Sequence, residues 1–358
     1  VGAVFTRNRV QAAPVVLDRE RVRSGLSQAI IVNSGNANCC NGERGTADAR
    51  AMSKFVSADL NIPEDMVLVA STGIIGKPLP IENIQNSVPE LTRTLKDDGF
   101  AEFALSIMTT DTIPKLVSRQ GQLNGKTFTI TAVAKGAGMI RPDMATMLCF
   151  ICTDVDAEPE YLSYALWLAS ERSFNRITID GDTSTNDTAV ILANGLSGAV
   201  IENSVHKATF QRVLDDLCMA LAKMIVQDGE GATKLVEIMV KGALSDEDAY
   251  AIASTIGNSN LVKTAFFGED ANWGRILAAA GRAGVPFELD SIDIFFDDVL
   301  MFEKGMCLGL AAEEKATKIM KRPEYTVTLD LKTGNGKALV YTCDFSLDYV
   351  RINADYRS

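Results

Sequence analysis

Histidine is nearly missing from this chain: among 358 residues there is one, His206. That scarcity removes much of the usual catalytic inventory. A Ser–His–Asp or Cys–His arrangement would have to rest on His206, and a histidine-rich zinc site cannot be assembled. His206 stands between Ser204 and a helical run from about Ala208, which reads as a solvated residue at a helix start. Basic blocks are missing too. A net charge of −11 without a Lys/Arg cluster argues against nucleic acid or an anionic membrane surface as partner. No apolar run is long enough to span a bilayer. Seven cysteines are too few and too scattered for a disulfide scaffold, which points to a reducing compartment. Cys149 and Cys152 have redox or metal spacing, but they fall on a predicted buried strand, where residues three apart face opposite ways. Cys39–Cys40 sits in a Gly/Asn-rich loop, and adjacent cysteines seldom share a metal. No metal site is expected.

What is present is an ordinary globular composition, 47% apolar and 23% charged, long enough for two domains or one large layered body. Val1 is not an initiator Met, and residues 1–5 read as a strand entered in progress, so a preceding segment is expected, a removed targeting sequence among the open readings. Short strands alternate with helices. Strands are predicted at Gln28–Asn33, Met66–Ala70 and Thr127–Ala134, and helices at Thr46–Ala58 and, amphipathic, Pro80–Gly99. A strand then runs to Val155, followed by helices at Pro159–Phe174 and Ala208–Gln227, the latter with one long apolar stripe. Leu235–Val240 reads as a strand, Asp246–Ile256 and Asn272–Ala283 as helices. In a β-rich tail, Tyr325–Leu331 and Ala338–Tyr341 flank Thr333-Gly334-Asn335-Gly336, a predicted hairpin turn. The fold class is α/β, with mixed or antiparallel sheets covered by helices.

The segment Lys135–Phe150, K-G-A-G-M-I-R-P-D-M-A-T-M-L-C-F, carries the sharpest chemical signal. A glycine-rich, proline-stopped loop delivers the Ala145–Thr146 bond to the start of an apolar run. A threonine there can attack the carbonyl before it. If the chain is cut, Thr146 becomes a new N-terminus, carrying both a nucleophile and, in its α-amine, a base. A hairpin turn remains the competing reading, and a phosphate loop is disfavoured because the G-K-[ST] ending is absent. Ser71-Thr72-Gly73 follows a strand; a hydroxyl and a glycine N–H at such a turn can stabilise an oxyanion, though an ordinary turn looks the same. Thr109-Thr110-Asp111-Thr112 suits a helix cap or a polar ligand, with capping favoured. Glu230, between Gly229 and Gly231, has no evident packing role and suits a ligand contact. The segment 178–187, T-I-D-G-D-T-S-T-N-D, lacks the glutamate of a calcium loop and reads as a structured turn near the site. The end, Asn353 to Ser358, follows an alternating strand and is either tucked in or a plain surface terminus.

Together these motifs resemble the ornithine acetyltransferase, or glutamate N-acetyltransferase, family of arginine biosynthesis. The likeness runs from A-V-F-T-R-N-R-V-Q-A-A-P-V through V-N-S-G-N-A-N, S-T-G-I-I-G, M-T-T-D-T and K-G-A-G-M-I-R-P-D-M-A-T-M-L. It continues with D-G-D-T-S-T-N-D-T, D-G-E-G-A-T-K, V-K-T-A-F-F-G and N-W-G-R-I, and ends at I-N-A-D-Y-R-S. Asp143 stands where many members have Asn, Ser358 where Thr is commoner, and the stretch that usually precedes A-V-F-T is absent. The resemblance implies an αββα sandwich like that of self-processing aminopeptidases, with a smaller C-terminal α/β region from about 240 to 358. It implies self-cleavage between Ala145 and Thr146 into chains 1–145 and 146–358, two copies of each assembling as a heterotetramer.

By the same resemblance Thr146 is the nucleophile and Thr72 with Gly73 the oxyanion hole. Substrate contacts fall on Thr112, Thr110, Lys135, Thr146, Glu230, Asn353 and Ser358. Acetyl passes from N2-acetylornithine to glutamate through an acetyl-threonine, without metal or organic cofactor. Acetyl-CoA as an additional donor, an amidase or aminopeptidase using water, and an uncleaved binding protein all remain open. The expected location is the cytoplasm, or the mitochondrial matrix in a eukaryote.

Overall fold

The computed structural model describes residues 1–141 and 147–355; Ala145, Thr146 and Ser358, three of the expected site residues, lie outside them. The chain divides into two compact units. The first takes in residues 1–175 and 182–225, and the second residues 176–181 and, among the described residues, those from 226 onward.

In the first unit a five-stranded sheet has the order β1-β8-β6-β5-β4. Its strands are β1 (Gly2–Phe5), β4 (Lys115–Leu123), β5 (Lys126–Lys135), β6 (Leu148–Thr153) and β8 (Thr188–Ala193), while β2 (Ala29–Asn33) and β3 (Val67–Ser71) form a separate parallel pair. Every residue of β3 is buried, as expected of a parallel strand covered on both faces. One face, Leu68 and Ala70, packs with Val133, Leu148, Phe150 and Val190 of the larger sheet. The other, Val67 and Val69, packs with Leu17, Ala49, Met52 and Val88. These come from helices α1 (Ala13–Arg21), α2 (Gly42–Leu60) and α3 (Ile81–Arg93). The helix expected over Pro80–Gly99 thus stops at Arg93, and Gly99 instead precedes α4 (Phe100–Ser106). Helix α5 (Pro159–Arg172) starts with proline in its first turn. Helix α6 (Ser204–Gln227) brings Phe210 onto Phe128 of β5.

His206 is 6% exposed rather than solvated: its Nε2 lies 3.0 Å from Asn124 Oδ1 and its backbone N–H donates to Asn203 Oδ1. Asn124 and Asn203 thus hold the ring at the first turn of α6.

The second unit is built on a seven-stranded mixed sheet, β12-β11-β10-β13-β9-β14-β7. The strands are β7 (Ile177–Thr178), β9 (Leu235–Ala243), β10 (Asp293–Phe296), β11 (Val299–Glu303), β12 (Met306–Cys307), β13 (Glu324–Asp330) and β14 (Gly336–Cys343). Tyr325, Val327 and Leu329 alternate inward from β13 with the period of two of a strand. They join a core with helices α7 (Asp246–Gly257), α8 (Asn260–Phe267), α9 (Trp273–Gly281) and α10 (Leu310–Met320).

Two expectations fail in this unit. β13 and β14 are not a hairpin: β9 lies between them, parallel to β13 and antiparallel to β14. The glycine-rich loop crosses the end of β9, where Thr333 and Gly334 N–H donate to Gly242 O, and a Cβ at Gly334 would sit 2.3 Å from Ala243 O. The tail is also not a strand. Leu347–Asp355 is helix α11, and the alternation read there was the spacing of an exposed helix without a buried residue. No helix among the described residues is long and apolar enough to cross a membrane.

Candidate functional site

Thr72 and Gly73 lie where β3 leaves its partner β2. Thr72 N–H donates to Asn33 O at 3.1 Å, and Ser71 Oγ donates to Asn33 Oδ1 at 2.6 Å, closing the strand ends together. Gly73 has φ +130°, and a Cβ there would be 2.2 Å from the Gly35 carbonyl carbon. Only glycine fits so close a backbone approach.

Lys135 ends β5 and is 4% exposed. Its Nζ donates to Thr109 Oγ1 at 2.8 Å and to Thr72 Oγ1 at 3.3 Å, and lies 3.6 Å from Asp111 Oδ2. Asp111 is the hub beneath it: Oδ1 accepts from Lys115 Nζ and from Gly136 N–H, both at 2.7 Å, and Oδ2 accepts from Thr109 N–H at 3.1 Å. Burial alone would raise the Asp111 proton affinity, but the ammonium groups of Lys135 and Lys115 outweigh it and hold the group at about 2. The T-T-D-T cluster is therefore not a helix cap, since the next element is strand β4. Thr109 takes the lysine's hydrogen bond, Thr110 is half-buried, and Thr112 is exposed. Sequence reasoning read Thr109 and Asp111 only as part of a capping or ligand-binding cluster and gave no role to Lys115; the aspartate four residues before a lysine was the available signal.

The described chain resumes at Met147, whose N–H donates to Asp187 Oδ1 at 3.0 Å. Asp187 is 1% exposed, and among the described residues no hydrogen bond within normal geometry reaches its Oδ2. Burial pushes its proton affinity well above the usual carboxylate range, against the opposing Met147 N–H. Next to it, Asn186 Nδ2 donates to Ala37 O at 2.7 Å and to Ser71 O at 2.8 Å. The segment read as a structured turn thus has two side chains that sequence reasoning did not single out.

In the second unit, Glu230 and Asn353 meet: Asn353 Nδ2 donates to Glu230 Oε2 at 2.7 Å and to Tyr349 O at 3.0 Å. Glu230 is 8% exposed. Gly231 has φ +69°, and a Cβ there would be 2.5 Å from Tyr349 N, so glycine lets the Glu230 loop rest on the start of α11. Asp344 ties the other side of that loop, accepting from Thr233 N–H at 2.8 Å and Lys234 N–H at 2.9 Å. Among the described residues no group of three or more His, Cys, Asp or Glu side chains is placed to hold a metal. Cys149 is buried, with its thiol raised beyond the titrating range by burial, and Cys152 is half-buried on the same strand.

A glycine-locked turn whose threonine oxygen accepts from a buried lysine is equipment for hydroxyl-based acyl transfer, in which an oxyanion must be met by prearranged donors. The chain belongs to the ArgJ family, whose model matches residues 1–358. The "Arginine biosynthesis bifunctional protein ArgJ" of Geobacter sulfurreducens is 52% identical over 360 aligned positions, covering all of this chain and 92% of that protein. The "Glutamate N-acetyltransferase" of Methanocaldococcus jannaschii is 46% identical, covering 99% of this chain and 91% of its own length. Among solved structures, the arginine biosynthesis bifunctional protein argJ of Bacillus halodurans matches with TM-score 0.55 and 41% identity, covering 58% of this chain and 98% of that one.

Proposed function

We propose that the chain moves an acetyl group from N2-acetylornithine to glutamate through an acetyl ester on Thr146. Membership of the ArgJ family makes it an acetyl-transferring enzyme of arginine biosynthesis; the donor, acceptor and residue roles are our reading. The observation that carries them is the hydrogen bond from Lys135 Nζ to Thr72 Oγ1. Because that oxygen accepts from the lysine, the hydroxyl hydrogen is left to point at a substrate oxyanion, with a cation behind it.

Before turnover, Thr146 Oγ attacks the Ala145 carbonyl carbon, the Ala145–Thr146 C–N bond breaks, and water hydrolyses the resulting ester to give chains 1–145 and 146–358. In the first half-reaction Thr146 Oγ attacks the acetyl carbonyl while the free α-amine takes its proton. Thr72 and the Gly73 N–H hold the oxyanion, the acetyl–nitrogen bond breaks, and the proton leaves with ornithine. In the second, the amine of glutamate attacks the ester carbonyl, the same donors hold the oxyanion, and Thr146 recovers its proton as N-acetylglutamate departs. Lys135 suits a substrate carboxylate as well as the Thr72 oxygen, and Glu230, oriented by Asn353, suits a cationic amine. Thr110, Thr112 and Ser358 complete the substrate contacts. The chemistry calls for no metal or organic cofactor. We assign two copies of each cleaved chain to the working assembly, and the cytoplasm to the enzyme because its relatives named above are bacterial and archaeal.

The test combines denaturing electrophoresis, mass analysis of the new N-terminus, and assays with acetylornithine and acetyl-CoA supplied separately, each with glutamate. Two chains joining at 145/146, and turnover that vanishes in Thr146→Ala, are expected. Activity in an uncut chain, or parental turnover of Thr146→Ala, would end this reading. Acetate release without any need for glutamate would select the amidase instead. A Glu230→Gln enzyme with unchanged affinity for acetylornithine would remove Glu230 from the amine contact.

A further inference from the structure

Asn186 and Asp187 are adjacent, buried, and reach in two directions. The two donors of Asn186 Nδ2 go to Ala37 O and to Ser71 O, the carbonyl immediately before the proposed oxyanion threonine. Its Oδ1 accepts from Thr185 Oγ1 at 2.6 Å, so the amide is fully engaged and its orientation is fixed. Asp187 Oδ1 accepts from the N–H of Met147, the residue immediately after the proposed nucleophile. The Asp187 side chain is where the ladder between β6 and β8 ends: Leu148 pairs with Thr188, Thr188 N–H donates to Met147 O at 3.1 Å, and beyond that bond the carboxylate takes the place of a backbone acceptor. The dipeptide is itself anchored, since Thr6 N–H donates to Asp187 O at 2.9 Å and Asn186 N–H donates to Ser184 Oγ at 3.0 Å. Neither side chain is needed for a core: each is a polar group buried at the cost of desolvation, with geometry as the return.

We infer that Asn186 and Asp187 are positioning residues that set the spacing between the oxyanion turn and the start of the nucleophile strand. Asn186 holds the turn through Ser71, and Asp187 holds the strand through Met147. The inference rests on the Thr146 and Thr72 assignments made above. Displacing a reacting group by about an ångström costs up to about a hundred-fold in rate without weakening substrate binding.

The experiment measures kcat and KM for acetylornithine-to-glutamate transfer in the cleaved enzyme for Asn186→Ala, Asp187→Ala and Asp187→Asn, with Thr146→Ala in parallel. Asn186→Ala and Asp187→Ala are expected to lower kcat by about ten- to a hundred-fold with KM within about two-fold. Asp187→Asn keeps an acceptor oxygen for Met147 N–H and is expected within about three-fold of parental kcat. If Asp187→Ala does not fold, Asn186→Ala and Asp187→Asn still decide the matter. Parental kcat in folded Asn186→Ala, or an effect confined to KM, overturns the inference, as does an Asp187→Asn enzyme slowed by more than ten-fold, which would assign Asp187 to proton chemistry. A Thr146→Ala enzyme that turns over normally fails the nucleophile assignment and the inference with it. An inactive Thr146→Ala beside an unaffected Asn186→Ala fails the inference alone.

Discussion

In the first unit two buried lysines, Lys115 and Lys135, converge on the single carboxylate of Asp111, whereas in the second the equally buried Lys263 faces no carboxylate among the described residues. Lys263 Nζ instead donates to Thr342 Oγ1 at 2.9 Å and to Cys343 O, and lies 4.9 Å from the centre of the Phe345 ring. Its own carbonyl accepts from Phe345 N–H at 3.1 Å. The two arrangements do different jobs. A lysine paired with a buried carboxylate is compensated where it stands, and Lys135 also donates to Thr72 Oγ1. A lysine ended on a carbonyl, a hydroxyl and an aromatic face closes a corner of main chain, here the turn from β14 into α11, and projects nothing outward. One is an electrostatic device and the other a clasp.

The comparison is broken most directly at Asp111. Asp111→Ala removes the carboxylate from both lysines and the acceptor from Gly136 and Thr109 N–H, so a loss of about 3–5 kcal/mol in denaturant unfolding is expected. A loss below about 1 kcal/mol would mean that the pair is not held by Asp111. Thr72→Ala comes next, with kcat lowered about 10²–10³-fold and KM nearly constant, as for loss of one oxyanion donor. Lys135→Met should retain Thr72 but lose the cation behind it, giving a smaller fall in kcat, about ten- to a hundred-fold. A Lys135→Met enzyme with parental kcat and a raised KM would place the lysine on a substrate carboxylate alone.

The acid side of the stability curve sharpens the same contrast. Asp111 is held at about 2 against an ordinary 3.8, so the unfolded chain takes up its proton first. Stability from this group is complete above about pH 4–5 and is lost as pH falls through about 2, an amount of about 2 kcal/mol. Asp187 acts with the opposite sign: its raised proton affinity means that ionising it works against the folded state as pH rises. The difference between the parental chain and Asp111→Asn, followed by denaturant titration from pH 5 to pH 2, isolates the first effect. Parallel curves over that window would refute it.

Much of this was legible in the sequence where one physical signal acted alone. The apolar stripe of α6, the buried run of β3 and the alternation of β5 each declared an element within a few residues, because packing on one or both faces leaves a period in the residue pattern. β4 was missed because it is the edge strand of its sheet: Ser118, Gln120 and Gln122 line its exposed face while Arg119 and Gly121 interrupt the other, leaving little contrast. The Thr333–Gly336 turn was read as a hairpin because its residues suit one; the insertion of β9 between its flanks is a long-range pairing that no local pattern encodes. The tail misled for a related reason: α11 buries no residue, so its helical period never reached the core that would have revealed it. Thr72, Gly73, Lys135 and Glu230 were proposed from motif and resemblance, and the structure brings Thr72 to the Lys135 ammonium. Asn186 and Asp187 could not be given roles, since their partners lie 40 to 149 residues away in the chain, whereas Asp111 was read as a capping or ligand-binding residue although Lys115 stands only four residues on.

The smallest effect is expected at Lys263, and it is the most discriminating. Lys263→Met keeps the length of the side chain and its packing on Phe345 while removing the amine. It leaves Cys343 O without its side-chain donor, a cost of about 1–3 kcal/mol, but it also relieves the burial of a polar nitrogen. Thr342 Oγ1 still donates to Gly257 O at 3.0 Å, so that hydroxyl is not stranded. The net change should be about 1 kcal/mol or less, with kcat at the parental value, because nothing that Lys263 touches belongs to the Thr72–Lys135–Asp111 network. Denaturant midpoints and steady-state rates on the same preparation measure both. A loss rivalling that of Asp111→Ala would show that Lys263 behaves as a buried charge in its own right, and the distinction between device and clasp would fall.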